Sequence, residues 1–248
     1  MSIVGIIPAR YASTRFPGKP LADLGGRPMI QHVYERACRA KTLEEVLVAT
    51  DDARIAAAVR AFGGDVVMTS PDHPTGTDRL AEVAQRLSAA EIIVNIQGDE
   101  PLISPAVIDA VVTPLREDPA LPMSSAMAPM PEAARAWDSN VVKVVCDLRG
   151  LALYFSRSPI PNPREGVSAP GPWKRHYGLY AYRREFLLAF TSFSVGPLER
   201  LEQLEQLRAL EHGFKIKMVD MPDDSSVGVD TPEDLDRVRA ILESRLES

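Results

Sequence analysis

Residues 3–19 read IVGIIPARYASTRFPGK, and this stretch decides how the fold begins. The apolar, β-branched run 3–7 is typical of a buried strand, and the loop after it is punctuated by proline and glycine. Loops at the carboxyl ends of strands in open α/β sheets form ligand sites. This loop delivers Arg10, Arg15 and Lys19, which repel one another unless they meet an anion. The stretch predicts a phosphate-binding loop, with a solvated basic loop as the alternative.

The composition is that of an ordinary globular protein. The chain has 248 residues, 45% of them hydrophobic and 25% charged, which suits one large α/β domain or two small ones. Its net charge of -6 argues against a general binder of nucleic acid or anionic membrane. Cys38 and Cys146 imply no disulfide framework, and no apolar run approaches the roughly 18 residues of a membrane span. We expect a cytoplasmic protein without nucleic-acid or membrane partners.

Strand-like runs alternate with apolar repeats at helical spacing along the chain. Strands are predicted at 46–49, 65–68, 92–96, 122–128, 141–146, 177–182 and 215–219. Helical repeats lie between the early runs, over 80–87 and 108–115. This alternation predicts an α/β fold with a mostly parallel nucleotide-binding sheet flanked by helices.

The pattern changes after residue 120. From 123 to 182 strands follow one another with little helix, which predicts a smaller antiparallel extension. The proline-rich stretch 159–172 predicts a long irregular loop, either a lid or dimer contact or a surface excursion. Leucine recurs every third residue from Leu198 to Leu210, which predicts one long helix with a packed stripe.

The motif 97–101, QGDEP, directly follows the predicted central strand. A carboxylate there faces the same crevice as the first loop. Gly98 lets the backbone approach a ligand, and Asp99 is a hard oxygen donor suited to Mg²⁺. Alternatively, Asp99 or Glu100 caps the next helix.

A second acidic motif, GVDTPEDL, occupies 228–235. Thr231 is predicted as the N-cap of a helix, Pro232 as its first residue and Asp234 as the capping acid. Asp230 precedes the cap and is left over, so it is a candidate second Mg²⁺ ligand.

The segment 72–80 predicts the start of another helix, capped by Thr75 or Thr77. Such a helix end offers backbone donors to an anion or to a base, and Arg79 is a further candidate phosphate or nucleotide contact. An ordinary capped helix is the alternative.

Five motifs occur in order: PARYASTRFPGKPL, HPTGTDR, VNIQGDEP, YFSRSPIP and GVDTPEDL. Together they resemble the 3-deoxy-manno-octulosonate (Kdo) cytidylyltransferases, or CMP-Kdo synthetases, over about residues 3–242. The resemblance implies a nucleotide-diphospho-sugar transferase-like fold, a homodimer and a Mg²⁺ requirement. It implies that CTP and Kdo give CMP-Kdo and pyrophosphate. This reaction would activate Kdo for lipopolysaccharide synthesis. Within a single domain over 1–248, residues 1–120 would bind nucleotide, 121–220 the sugar and dimer partner, and 221–248 would supply the metal loop and last helix.

The resemblance also assigns roles to single residues. The triphosphate and nucleotide contacts would be Arg10, Arg15, Lys19, Thr75, Arg79 and Gln97. The metal ligands would be Asp99 and Asp230, which with Arg10 and Lys19 form the catalytic set. The sugar contacts would be Gln97, Arg157, His176, Tyr180, Glu205 and Gln206, with Arg157 on the Kdo carboxylate.

Three other functions compete with this one. A nicotinamide dehydrogenase is disfavoured because no G-x-G-x-x-G follows the first strand. A non-catalytic nucleotide-binding module could dispense with the paired Asp99 and Asp230. A cytidylyltransferase for another acidic 2-keto sugar, such as 8-amino-Kdo or a nonulosonate, stays open because the phosphate motifs do not exclude it.

Overall fold

The computed structural model describes residues 1–12, 16–130, 133–164, 171–222 and 228–246. The chain divides into two compact units, Met1–Asp109 with Ser225–Ser248, and Ala110–Asp224. Arg15, predicted as a triphosphate contact, lies outside the described residues. That the whole chain works as one catalytic domain stays a prediction.

The first unit is built on a parallel sheet. Its strands are β1 (Ser2–Ala9), β2 (Asp23–Leu24), β3 (Arg27–Pro28), β4 (Glu45–Thr50), β5 (Asp65–Met68) and β6 (Ala90–Asn95). Four of them form the sheet in the order β6-β1-β4-β5 with every neighbouring pair parallel, while β2 and β3 form a separate short hairpin. Ile6, Ile7 and Ile93 are fully buried, as the apolar runs predict. The carboxyl ends of β1 and β6 therefore lie side by side.

Helices connect these strands and pack on the sheet. They are α1 (Met29–Ala37), α2 (Ala53–Ala61), α3 (Gly76–Arg86) and α4 (Pro105–Glu117), which crosses the boundary between the units. Asp52 caps α2 by accepting the N–H groups of Arg54 and Ile55. Thr75 caps α3 in a full capping box with Asp78, which decides between the two predicted caps.

The second unit is mainly antiparallel. Its strands are β7 (Met123–Pro129), β8 (Lys143–Cys146), β9 (Ala152–Ser156), β10 (Lys174–Arg183) and β11 (Ile216–Asp220). β7 pairs with β10, β10 with β8 and β8 with β9, all antiparallel, whereas β11 joins β7 in parallel. The predicted class, a mostly parallel sheet with a smaller antiparallel part, is confirmed.

The prediction of one long leucine-striped helix is wrong. The helices of the second unit are α5 (Ala133–Ala136), α6 (Arg184–Phe190), α7 (Pro197–Glu202) and α8 (Leu207–Glu211). Gln203 takes the left-handed conformation, with φ 51° and ψ 49°, and ends α7. A strict three-residue repeat drifts around a helix of 3.6 residues per turn, and Leu201 is 81% exposed while Leu204 is buried. The leucines therefore do not share one packed stripe.

The chain returns to the first unit for its last helix, α9 (Pro232–Leu246). Its capping box is the predicted one, because Asp234 N donates to Thr231 Oγ1 at 3.2 Å and Thr231 N donates to Asp234 Oδ2 at 2.9 Å. None of the described helices is long and apolar enough to cross a bilayer.

Candidate active site

One pocket of about 360 Å³ opens in the first unit, within the range usual for ligand sites, roughly 300–1,000 Å³. It is lined by the loops that follow β1 and β6, the start of α3 and the residues before α9. The structure brings together in it all the described residues predicted to bind nucleotide or metal. They are Arg10, Lys19, Thr75, Arg79, Gln97, Asp99 and Asp230.

The ammonium of Lys19 joins the two acidic loops of this pocket. It donates to Asp99 Oδ2 at 2.8 Å, to the carbonyl oxygen of Val229 at 2.7 Å and to Asp230 Oδ1 at 3.2 Å. The Lys19 side chain is 13% exposed, so these contacts are partly shielded from water. Two acidic loops far apart in sequence therefore meet at one cation.

Backbone contacts fix the two loops that carry these carboxylates. Val229 N donates to the carbonyl oxygen of Asp99 at 2.8 Å. Asp234 Oδ2 accepts the N–H of Asp230 at 2.9 Å as well as that of Thr231, so the start of α9 holds the backbone of Asp230. The Asp230 side chain is not used by the cap and reaches Lys19.

Gly98 lies where two backbones pass closely. A Cβ at this position would be 2.9 Å from the carbonyl oxygen of Pro8, a contact that side chains do not tolerate without a backbone shift. Gly98 thus lets the loop after β6 close against the end of β1. A Cβ at Gly76, also in the pocket, would meet nothing nearer than Pro8 Cγ at 3.5 Å.

Arg79 is 4% exposed and reaches the pocket from the first turn of α3. Its guanidinium lies 3.0 Å from Asp51 Oδ1 and donates to Thr69 Oγ1. A buried guanidinium needs such partners, because an unpaired charge in the interior is costly. Asp51 and Thr69 therefore fix the side chain that the sequence predicts as a nucleotide contact.

His73 lines the pocket as well, although the sequence assigns it no role. Its Nε2 lies 2.5 Å from Glu82 Oε2, and Glu82 also accepts the Ser70 N–H at 2.8 Å. The Ser70 amide, together with His73, holds the pKa of Glu82 below its usual range. The only sequence signal for His73 is its place in the motif HPTGTDR.

In the second unit, the predicted sugar contacts His176 and Tyr180 lie on β10, their ring centroids 5.4 Å apart. His176 Nε2 lies 2.9 Å from Ser125 Oγ. Burial, and then the charge of Arg175, lower the pKa of His176 to about 3, so its imidazole is neutral at pH 7. Burial, and then the charge of Glu205, raise the pKa of Tyr180. Both rings are therefore uncharged at pH 7.

Glu205 and Gln206 lie between α7 and α8. Glu205 Oε1 is 3.7 Å from Arg208 Nη2, and Arg208 also forms a buried two-bond pair with Glu199, at 2.8 and 2.6 Å. Gln206 is 5% exposed, and its Nε2 has no hydrogen-bond partner among the described residues. A buried amide donor in this position calls for an acceptor.

Arg157 is engaged by backbone. Its guanidinium donates to the carbonyl oxygens of Glu202 at 2.8 Å, Ser139 at 2.9 Å and Gln203 at 3.4 Å. In return, Glu202 Oε2 accepts the Arg157 N–H at 2.9 Å. Arg157 therefore braces the segment that leads to Glu205, a contact that sequence reasoning missed. Its predicted role toward the Kdo carboxylate stays a prediction.

Comparison with known proteins identifies the family of this chain. The profile of the family described as cytidylyltransferase matches residues 4–216. The chain is 58% identical to the 3-deoxy-manno-octulosonate cytidylyltransferase of Syntrophotalea carbinolica, over 98% of this chain and 99% of that one. It is 56% identical to the protein of the same name from Geobacter sulfurreducens, over 96% and 98%. The chain belongs to the 3-deoxy-manno-octulosonate cytidylyltransferase family.

Its fold is also that of a solved cytidylyltransferase. A structure described as CMP:2-keto-3-deoxy-manno-octonic acid synthetase complexed with CTP matches with a TM-score of 0.93 and 45% identity. The match covers 99% of this chain and 100% of that one. The family suggested by the five sequence motifs is thereby confirmed.

In this cytidylyltransferase the donor set of the first unit is compatible with Mg²⁺. No cluster of three or more His, Cys, Asp or Glu side chains is found among the described residues. Mg²⁺ needs only one or two protein carboxylates, because phosphate oxygens and water complete its octahedron. Asp99 and Asp230 both lie within 3.2 Å of the Lys19 ammonium, so the position between them already stabilises a cation.

The two pocket glycines should respond differently to a methyl group. We expect Gly98→Ala to lower the free energy of unfolding by about 1–3 kcal/mol, because its Cβ meets the backbone of Pro8. Gly76→Ala is the matched control and should be neutral or slightly stabilising, since alanine favours a helix. Urea unfolding followed by circular dichroism measures both, and equal losses would contradict the close approach at Gly98.

The buried His176 should make stability fall on acidification. The unfolded imidazole takes up a proton below about pH 6.5, whereas the folded one stays neutral down to about pH 3. The unfolded state then binds more protons, so the free energy of unfolding drops by about 2 kcal/mol between pH 7 and pH 5. Urea unfolding at both pH values should show this loss in the wild type and a correspondingly smaller one in His176→Gln. An undiminished loss in the variant would contradict a neutral buried imidazole.

Proposed function

We propose that this chain transfers CMP from CTP to the anomeric hydroxyl of 3-deoxy-D-manno-octulosonate, giving CMP-Kdo and pyrophosphate. The observation that carries the proposal is the pocket of the first unit, where Arg10, Lys19, Asp99 and Asp230 meet. The chain that builds it resembles Kdo cytidylyltransferases over nearly its whole length. The structural match that was solved with CTP supports the nucleotide.

The reaction depends on stabilisation of negative charge more than on covalent catalysis by the protein. The sugar oxygen attacks the α-phosphorus in line, the bond to the bridging oxygen breaks, and pyrophosphate leaves with its negative charge while the hydroxyl proton passes to water. Arg10 lines the pocket and is exposed, so its guanidinium is available to phosphate oxygens. Lys19 and Arg79 add positive charge around the same anion, and the family resemblance assigns Arg15 to it as well.

Asp99 and Asp230 would hold the Mg²⁺ that the family resemblance implies. When bound, Mg²⁺ neutralises phosphate charge and polarises the α-phosphate. Lys19 keeps the two carboxylates at one position, since its ammonium donates to both. The close approach at Gly98 and the cap of α9 hold the two loops in place.

The second unit would supply the sugar contacts with both uncharged and charged groups. Gln206 Nε2 is a buried donor that a sugar oxygen can satisfy, and His176 is neutral at pH 7. Tyr180 and Glu205 add a phenol and a carboxylate suited to hydroxyl groups. The Arg157 guanidinium has five N–H groups, and some of them donate to backbone carbonyls. The remaining N–H groups would donate to the Kdo carboxylate.

Three wider expectations belong to the same proposal. The chain would act as a homodimer in the cytoplasm, and its product would feed lipopolysaccharide synthesis. The relatives' names favour Kdo over 8-amino-Kdo or a nonulosonate.

Release of pyrophosphate tests the reaction directly. With Mg²⁺ and CTP, we expect release that depends on added Kdo, and little release when ATP, GTP or UTP replaces CTP. A coupled assay with inorganic pyrophosphatase measures the rate. Parallel reactions contain 8-amino-Kdo or N-acetylneuraminate in place of Kdo.

The outcome of that assay decides both the reaction and the preferred sugar. Absence of Kdo-dependent release would reject the proposed function. Faster release with either of the other 2-keto sugars would keep the cytidylyltransferase activity and reject Kdo as the preferred substrate.

The two aspartates should each be essential for turnover. We expect Asp99→Asn and Asp230→Asn to lower kcat/KM by roughly a hundredfold or more, about 3 kcal/mol of transition-state stabilisation, with the fold retained. The rate is followed across a Mg²⁺ titration, and thermal unfolding by circular dichroism checks the fold. Asp236→Asn, which removes an exposed carboxylate from α9, is the matched control. A wild-type Mg²⁺ response in either site variant would reject the metal assignment.

A further inference from the structure

The start of helix α2 carries a fixed arginine on the protein surface. Asp52 caps the helix, and its two carboxylate oxygens also accept hydrogen bonds from the Arg54 guanidinium, from Nε at 3.0 Å and from Nη2 at 2.7 Å. This contact holds the pKa of Asp52 down at about 2. The Arg54 side chain is 59% exposed, yet its planar group has one defined orientation.

That guanidinium lies on an aromatic ring of the phosphate loop. Arg54 Cζ is 3.3 Å from the centroid of the Tyr11 ring, a face-on cation–π contact. Tyr11 in turn packs on Gly18, where a Cβ would lie 3.0 Å from the ring. Gly18 has φ 72° and donates its N–H to the carbonyl oxygen of Tyr11 at 2.9 Å. Tyr11 thus links α2 to the far end of the loop.

The residues next to this contact are the pocket cations. Arg10 precedes Tyr11 in sequence, and Lys19 follows Gly18. Arg54 itself is not among the residues that line the described pocket. The Tyr11 ring does not line it either. Arg54 is therefore linked to the pocket through the neighbours of Tyr11, which are Arg10 in sequence and Lys19 by way of Gly18.

We propose that Arg54 is a positioning residue for CTP: by stacking on Tyr11 it sets the loop conformation in which Arg10 and Lys19 meet the phosphates. The proposal rests on the proposed function. It assigns the effect to the planar shape of the guanidinium, because a flat cation lying on a ring restrains the ring in a way that a flexible ammonium does not.

Steady-state kinetics on CTP tests the proposal. Arg54→Ala, Arg54→Lys and Tyr11→Leu should each raise KM for CTP roughly threefold to tenfold with kcat within about twofold of the wild type. Tyr11→Phe keeps the ring face and should lie closer to the wild type than Tyr11→Leu. The double variant Arg54→Ala/Tyr11→Leu should show no more loss than one single variant, because both remove the same contact. Arg60→Ala, which removes an exposed arginine from the same helix, is the matched control.

Four kinetic results would overturn the positioning role of Arg54. A wild-type KM in Arg54→Lys would show that charge and not the stacked plane matters, and would overturn the proposal. So would Arg54→Ala matching Arg60→Ala, a loss confined to kcat, or additive losses in the double variant. Calorimetric titration with CTP alone separates this inference from the proposed function. If the wild type binds CTP without turning over Kdo, the affinities of the same variants still decide the role of Arg54.

Discussion

Three stretches of chain meet at the ammonium of Lys19, and the geometry of the pocket depends on that meeting. Its partners lie 80, 210 and 211 positions away in sequence: Asp99, Val229 and Asp230. Without the cation, two carboxylates would face each other in a partly shielded site and repel. The backbone bond between Val229 and Asp99 supports the same arrangement but carries no charge. Lys19, in the loop that follows β1, therefore holds together the acidic side of the pocket.

The two units place different kinds of groups at their candidate sites. The pocket of the first unit combines cations with carboxylates, as a polyanion and its counterion require. The sugar candidates of the second unit are mostly neutral: His176 is kept unprotonated by burial, and Gln206 presents an amide donor. A sugar is recognised through hydroxyl groups, which need well-placed donors and acceptors more than net charge.

Elements specified by their own residues were predictable from sequence, whereas those that depend on strand pairing or on a turn of the chain were not. The buried strands β1 and β6 and the caps at Thr75 and Thr231 follow from apolar runs and short-range hydrogen bonding. The leucine stripe misled because a repeat of three fits no regular helix face and Gln203 turns the chain. The strand β9 was missed because its residues, ALYFS, alternate weakly and gain their place only by pairing with β8.

For the candidate site, motifs identified which residues gather but not what they touch. The positions of Arg10, Thr75 and Gln97 in one pocket follow from the rule that loops at strand ends share a crevice. No sequence pattern predicts that Arg157 donates to backbone carbonyls or that Asp51 pairs with Arg79, because these partners meet only in the folded chain. The motifs identify the side chains of the candidate site, and tertiary packing determines which partners they contact.

The start of helix α9 separates two tasks within a few residues. The N–H groups of Asp230 and Thr231 belong to the Asp234 carboxylate, while the Asp230 side chain belongs to the pocket. Because backbone atoms set the path of the loop, the side chain at position 230 can be exchanged without moving the main chain that carries it. This turn is therefore a place where the side chain that faces the pocket can be changed by design with the scaffold left intact.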